Sequence, residues 1–236
     1  MTEHGPAIPV LALLRQQSWL SPAFPTGGYS YSHGLEWAVE AGDVRDRRSL
    51  VDWLEADLRH GSGRNEAIFF GEAWRCAVEE DRPRLLNLAE RAAVLRGTSE
   101  LALESSQQGT ACLATLRRVW PDSTLDWLAE ALSGRGLPPA LAVVLGVRSA
   151  RAGLPVRLAL AAFLQAYLSS QVNAGVRLVP LGQTDGQLAI AELERAVLLT
   201  AAEAERTALD DLGSAAFRVD LSSMAHEAQY TRLFRS

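Results

Sequence analysis

Lysine is absent from the chain: all 23 positive side chains among its 236 residues are arginine. Without it there is no Schiff-base amine and no GxxxxGK[ST] phosphate loop, which excludes lysine covalent chemistry and GTP or ATP hydrolysis by that route. Cysteine is nearly absent too. Cys76 and Cys112 lie far apart in no CxxC pattern, which argues against a zinc site or disulfide framework and for two buried small apolar residues. No apolar run is long enough for a membrane span: the stretch from Ile8 to Leu14 is too short and follows no basic leader, so the expected compartment is cytoplasmic with no membrane partner. An excess of positive charge is also missing. The net charge is −5, the pI is about 5.5 and the arginines are scattered, so no nucleic-acid partner is expected.

What remains is a chain with 48% hydrophobic residues, enough to bury a sizeable core, and its length favours one domain over residues 1–236. Strand signals are almost missing. The one β-branched stretch, Val176 to Val179, is closed by Pro180 and Gly182 and reads as a helix end or a loop. Elsewhere apolar residues recur at helical spacing, as in Leu50, Trp53, Leu54 and Leu58, with Asp57 at the edge of that face. The spacing predicts helices at roughly 8–19, 33–42, 48–60, 64–79, 82–96, 98–118, 123–133, 138–151, 155–173, 184–209 and 221–234. Ser49 to Asp52 and Thr184 to Gln187 resemble capping boxes, and Pro121, Pro138–Pro139 and Pro155 fall at expected helix ends. The expected fold is therefore all-α, a single-domain bundle of roughly ten helices. The segment 155–172, apolar on most sides, is the candidate for a buried central helix.

Three segments carry unusual chemistry. Ser21 to Trp37 begins with Pro22, Pro25, Gly27 and Gly28, which force an irregular loop, and its hydroxyl residues lead into a helix starting near Ser30 or Ser32. The loop presents Tyr29 and Tyr31. It could cradle an anion at Gly27–Gly28, His33 and Glu36 could share a metal at i, i+3 spacing, or the aromatics could serve a protein interface. Asn173 to Gln183 breaks an apolar helix at Gly175 and Pro180 beside a single charge, Arg177, which needs a partner if buried. The third segment is the C-terminus. Ser222 or Ser223 can cap a last helix with His226, Tyr230, Leu233 and Phe234 on one side, and these aromatics need a docking site on the chain's own bundle or on a partner. His226 and Glu227 are adjacent and point apart, which counts against acid–base chemistry. A small helical metal-binding enzyme using His33, Glu36, His226 and Glu227 is the alternative to a binding protein.

Taken together the segments resemble the urease accessory protein family of the F type. Pro25 to Glu36 fits "P-x-G-[GA]-[YF]-S-x-S-x-G-L-E", and Ala174 to Gln183 fits "AGV[KR]LVPxGQ". Asp211 to Ala215 fits "D-[IL]-G-S-A", and His226 to Ser236 fits "H-E-x-Q-Y-[ST]-R-L-F-R-S". The resemblance implies a non-enzymatic, all-helical, dimeric chaperone that binds the D/H-type urease accessory protein. The complex would recruit a G-type GTPase and deliver nickel to apo-urease, so the chain itself holds no cofactor and nickel is handled by the assembly. It also implies a partner-binding role for His226, Glu227, Gln229, Tyr230, Arg232, Leu233, Phe234 and Arg235, supported by Tyr29, Ser30, Tyr31, His33 and Glu36 of the loop, with the N-terminal segment and the C-terminal tail ordered by the partner. Two departures from the family pattern stand out: Met224-Ala225-His226-Glu227-Ala228-Gln229 replaces "M-R-H-E-T-Q", and Gly213-Ser214-Ala215-Ala216-Phe217 replaces "GSATP".

Overall fold

Helix starts in this chain are written by acceptors that precede apolar runs. Asp46, Asp81, Thr98 and Asp122 each take a backbone N–H from the first turn of the helix they precede, satisfying donors that a helix N-terminus leaves unpaired. In the computed structural model, which describes residues 9–236, the result is eleven α-helices and two short 3-10 turns, with no strand among the described residues. The helices are α1 (Val10–Trp19), α2 (Leu35–Glu40), α3 (Arg47–His60), α4 (Ser62–Glu79), α5 (Arg82–Val94), α6 (Ser99–Val119), α7 (Ser123–Ser133), α8 (Leu141–Arg151), α9 (Val156–Leu178), α10 (Gln183–Ala204) and α11 (Phe217–His226). No described helix is long and apolar enough to cross a membrane.

The all-helical expectation holds, and the segment chosen as the central helix is α9, which packs against α2, α3, α4, α8 and α10. Its core face carries Leu160, Phe163, Leu164 and Leu168, all buried, and Phe163 stacks on Phe70 of α4 at 4.9 Å between ring centroids. α4 and α8 pack at close quarters. A side chain at Gly146 would place its Cβ 2.4 Å from the Phe70 carbonyl oxygen, so α8 meets α4 backbone to backbone. Cys76 and Cys112 are buried, and burial pushes both thiols up to about 12, leaving them as the apolar fillers their spacing suggests.

Several boundaries differ from the periodicity. Ser49 is the fourth residue of its capping box and not the first: Asp46 Oδ1 accepts the Ser49 N–H at 2.8 Å, and Ser49 Oγ returns to the Asp46 N–H at 3.1 Å. On α10 the bond runs one way, with the Asp185 carboxylate accepting the Gly182 N–H at 3.4 Å, and the helix starts before Thr184. α9 runs through Gly175 to Leu178, and Leu50 of α3 fills the space that a side chain at Gly175 would need. α11 lies earlier than expected, and residues 227–236 are not helical.

Candidate functional site

The C-terminal tail is seated by the helix in front of it. Gly34 takes φ 75°, and a Cβ there would lie 2.6 Å from the Ser223 nitrogen, so glycine is needed both for the left-handed backbone and for the approach of α11. Ser222 and Ser223, expected as caps, act as tertiary anchors instead. Ser222 Oγ donates to the Gly34 carbonyl at 2.9 Å, and Ser223 Oγ lies 2.8 Å from Thr98 Oγ1.

Beyond α11 the chain is held by carboxylates. His226 is fully buried between two of them, with Nδ1 2.6 Å from Glu100 Oε2 and Nε2 3.2 Å from Glu36 Oε2. Glu36 also accepts the N–H of Leu233 at 2.6 Å and of Phe234 at 2.9 Å. Backbone N–H groups that a helix over 221–234 would have turned inward are thus taken by a side chain from α2, a charge-assisted bond stronger than the neutral helical one. Glu100 accepts from Arg232 Nη1 at 2.5 Å. Glu227 caps α6 from outside, accepting the Ser99 hydroxyl at 2.7 Å and its N–H at 2.9 Å, and these bonds hold its carboxyl below its ordinary value. Gln229 donates to Glu40 at 2.6 Å.

The last residues close onto the loop before α2. The Ser30 carbonyl accepts the Arg235 N–H at 2.8 Å, and Ser32 donates its N–H to the Ser236 backbone oxygen at 2.6 Å and its hydroxyl to the same atom. Ser236 Oγ donates to Glu104 Oε2 at 2.9 Å. Phe234 is buried, with the Arg177 guanidinium 4.4 Å above its ring, and Arg177 also donates to the Tyr29 carbonyl at 3.1 Å. The lone cation of the Asn173–Gln183 corner is therefore answered by an aromatic face and a carbonyl, and not by a carboxylate. Tyr31 is buried and donates to Gln107 at 2.5 Å, and burial raises its phenol above the ordinary value.

Against this buried frame three large apolar or aromatic side chains of the two segments point outward. Tyr230 is fully exposed, Leu233 is 57% exposed and Tyr29 is 74% exposed. The outer face of α11 continues the apolar surface with Phe217, Leu221 and Met224, each about half exposed or more. Tyr29 also borders a groove of about 650 Å³ between α1, the loop and α9, into whose wall Phe234 is set.

Of the residues singled out from sequence, the structure brings the loop and the tail together and divides them by role. Glu36, His226, Gln229, Arg232 and Phe234 fasten the tail, whereas Tyr230 and Leu233 of the tail and Tyr29 of the loop are turned to solvent. The four residues of the metal-enzyme alternative do not converge. His33 pairs with Glu104 at 2.8 Å, Glu36 serves His226 and the tail backbone, and Glu227 sits at the start of α6. Among the described residues no group of three or more His, Cys, Asp or Glu side chains is arranged to hold a metal. Sequence reasoning missed Glu100 and Glu104. The signal was present in α6, where Glu100, Glu104 and Gln107 lie at helical spacing on one side of an otherwise amphipathic helix, but nothing local said that the distant tail would cover them.

Comparison with known proteins places the chain in a family. A family model described as UreF matches residues 44–194. Proteins named urease accessory protein UreF from Rhodopseudomonas palustris strains BisB5 and TIE-1 are each 48% identical to the chain. The first aligns over 95% of this chain and 91% of its own length, the second over 98% and 95%. The protein of that name from Bradyrhizobium diazoefficiens is 46% identical over 95% of this chain and 92% of its own. The relatives are named as accessory proteins and not as enzymes.

Proposed function

The chain belongs to the UreF family of urease accessory proteins, and from that premise we propose that it matures urease by binding other proteins, presenting its tail and its Tyr29 loop to the D/H-type accessory protein. The observation that carries this reading is the division of labour within the tail. Its backbone is fixed by Glu36, Ser30 and Ser32, while Tyr230 and Leu233 are turned to solvent. Fixing a chain end costs conformational entropy, and an exposed aromatic beside an exposed leucine on a fixed backbone is the composition of an interface anchor. Preorganisation of this kind lowers the ordering cost of association.

The rest of the assembly follows from family resemblance. The chain acts as a homodimer in the cytoplasm, and its complex with the D/H-type protein recruits the G-type GTPase, which carries the nickel for apo-urease. The absence of lysine fits this allocation, because nucleotide hydrolysis then belongs to a partner whose phosphate loop supplies the cation. His33, Ser30, Tyr31, Glu36, His226, Glu227, Gln229, Arg232, Phe234 and Arg235 hold the presenting segments in place, and Tyr29, Tyr230 and Leu233 make the contact. The test is complementation of a urease-positive strain from which this chain has been deleted. A variant carrying Tyr230→Ser and Leu233→Ser should accumulate as a folded protein yet restore little urease activity. Full activity from that variant would remove the tail from the function.

A further inference from the structure

The departures of this chain from the family pattern are not explained by the contacts that hold the tail. Ala216 and Phe217 stand where the pattern has Thr and Pro, and Ala225 and Ala228 where it has Arg and Thr. Ala216 is buried at the start of α11, but the other three come to one surface. Counted from Phe217, the residues Leu221, Met224, Ala225 and Ala228 follow at i+4, i+7, i+8 and i+11, the spacing of a single helix face. Ala228, in the turn after α11, is tied to that face by its N–H, which donates to the Ala225 carbonyl at 3.1 Å. Phe217 is 69% exposed, Leu221, Met224 and Ala228 are exposed, and Ala225 is half-buried. The buried side of the helix is the opposite one, with Val219, Ser222, Ser223 and His226. On the outer face a ring has thus been gained at Phe217, a charge lost at Ala225 and a hydroxyl lost at Ala228.

The charged side chains that border this stripe are engaged within the chain. On one edge Arg218 pairs with Asp43. On the other, Asp220 accepts the Ser214 hydroxyl at 2.6 Å, and Glu227 accepts the Ser99 hydroxyl at 2.7 Å. The stripe itself carries no charged or polar side chain, and along the chain it leads to the exposed Tyr230 and Leu233. A contiguous apolar face of this kind marks an interaction surface. Its charge sets the chemistry of what covers it. A carboxylate facing an arginine at position 225 would be paired, whereas the same carboxylate facing Ala225 would be buried against methyl groups without a counter-ion, which is strongly unfavourable.

We propose that Phe217, Ala225 and Ala228 are specificity residues: the outer face of α11 seats in an uncharged apolar groove on the same partner that takes the tail, and rejects a partner whose groove carries a carboxylate. The proposal rests on the tail being the partner-binding element and adds the chemistry of the surface that this partner offers. Phe217, Leu221 and Met224 are the anchors of a helix laid in a groove. Ala225 and Ala228 let the groove close over them, and discrimination comes from the unpaired charge that a wrong pairing would bury.

The test is the affinity of the intact chain for the D/H-type accessory protein of the same organism, measured for wild type and for Ala225→Met, Ala225→Arg and Ala225→Glu, with melting temperatures compared. Ala225→Met, long but uncharged, should bind within about threefold of wild type, whereas Ala225→Arg and Ala225→Glu should each bind at least about tenfold more weakly. Phe217→Pro, which suits the first position of a helix, should also weaken binding about tenfold through loss of an anchor. Tighter binding by either charged variant would reveal a charged groove and overturn the proposal. Wild-type affinity from both charged variants, or a loss from Ala225→Met as large as that from Ala225→Arg, overturns it too. The partner reading fails separately, by wild-type affinity from the Tyr230→Ser and Leu233→Ser protein, whatever the outcome at Ala225.

Discussion

Glu36 shows how one side chain can serve structure and function together. It was singled out in the sequence three residues from His33, a spacing that suggests a shared ligand, yet the two side chains diverge: Glu36 goes to His226 and the tail, His33 to Glu104. His33 precedes α2 with a left-handed backbone, so its i, i+3 spacing from Glu36 is not that of one helix face. Replacing Glu36 with Ala strips two backbone N–H groups and the buried His226 of their acceptor, and each lost charge-assisted bond is worth about 1.5–3 kcal/mol in a buried setting. Because the tail can open locally, the expected global loss is limited to about 2–3 kcal/mol. Exchange at Leu233 and Phe234 should rise well before the helices unfold, and an unchanged exchange rate would show that Glu36 does not hold the tail. Removing the cation above Phe234 by Arg177→Ala should loosen the same segment by less, about 0.5–1 kcal/mol, measurable as a smaller rise in exchange at Phe234.

Among the elements, the helices of the core were legible and the last one was not. Periodicity places α3 to α8 within a few residues, because the apolar stripes face one core, while the caps at Asp46, Asp81, Thr98 and Asp122 emerged only from the structure. α11 and the tail depend on groups far away in sequence: Gly34, Ser30, Ser32, Glu36, Glu100 and Glu104. A periodic pattern carries no information about acceptors almost two hundred residues distant, so the tail read as a helix. The same limit applies to α4 and α8, whose backbone contact is visible only as an unremarkable Gly146 in the sequence. Gly146→Ala would force a Cβ to within 2.4 Å of the Phe70 carbonyl. The helices must part, which should cost about 2–3 kcal/mol and lower the melting temperature by roughly 5–10 °C. A melting curve that does not move would mean that the pair has slack.

For the molecule as a whole, the family model and the site occupy different ground. The matched core, residues 44–194, holds most of the helices, whereas Tyr29, Tyr230 and Leu233 lie outside it. The full-length relatives extend the likeness over both ends. The scaffold sets where α2, α6 and α9 stand, and these fix the two ends of the chain against each other. Tyr29, Tyr230 and Leu233 are exposed on a fixed backbone, and the buried His226, Glu100 and Glu36 hold the tail. Substitutions at exposed positions normally change stability by no more than about 0.5 kcal/mol, so the presenting side chains can be removed without unfolding the frame.

That separation makes binding affinity the most direct test. Purified chain and the D/H-type accessory protein are titrated calorimetrically, with wild type compared to a protein carrying Tyr230→Ser and Leu233→Ser. The double variant should melt at the wild-type temperature and bind at least about thirtyfold more weakly, the loss that follows from removing an anchor worth about 2 kcal/mol. Equal affinity from an equally stable variant would contradict the account, because the exposed side chains of a firmly held tail would then have nothing to hold.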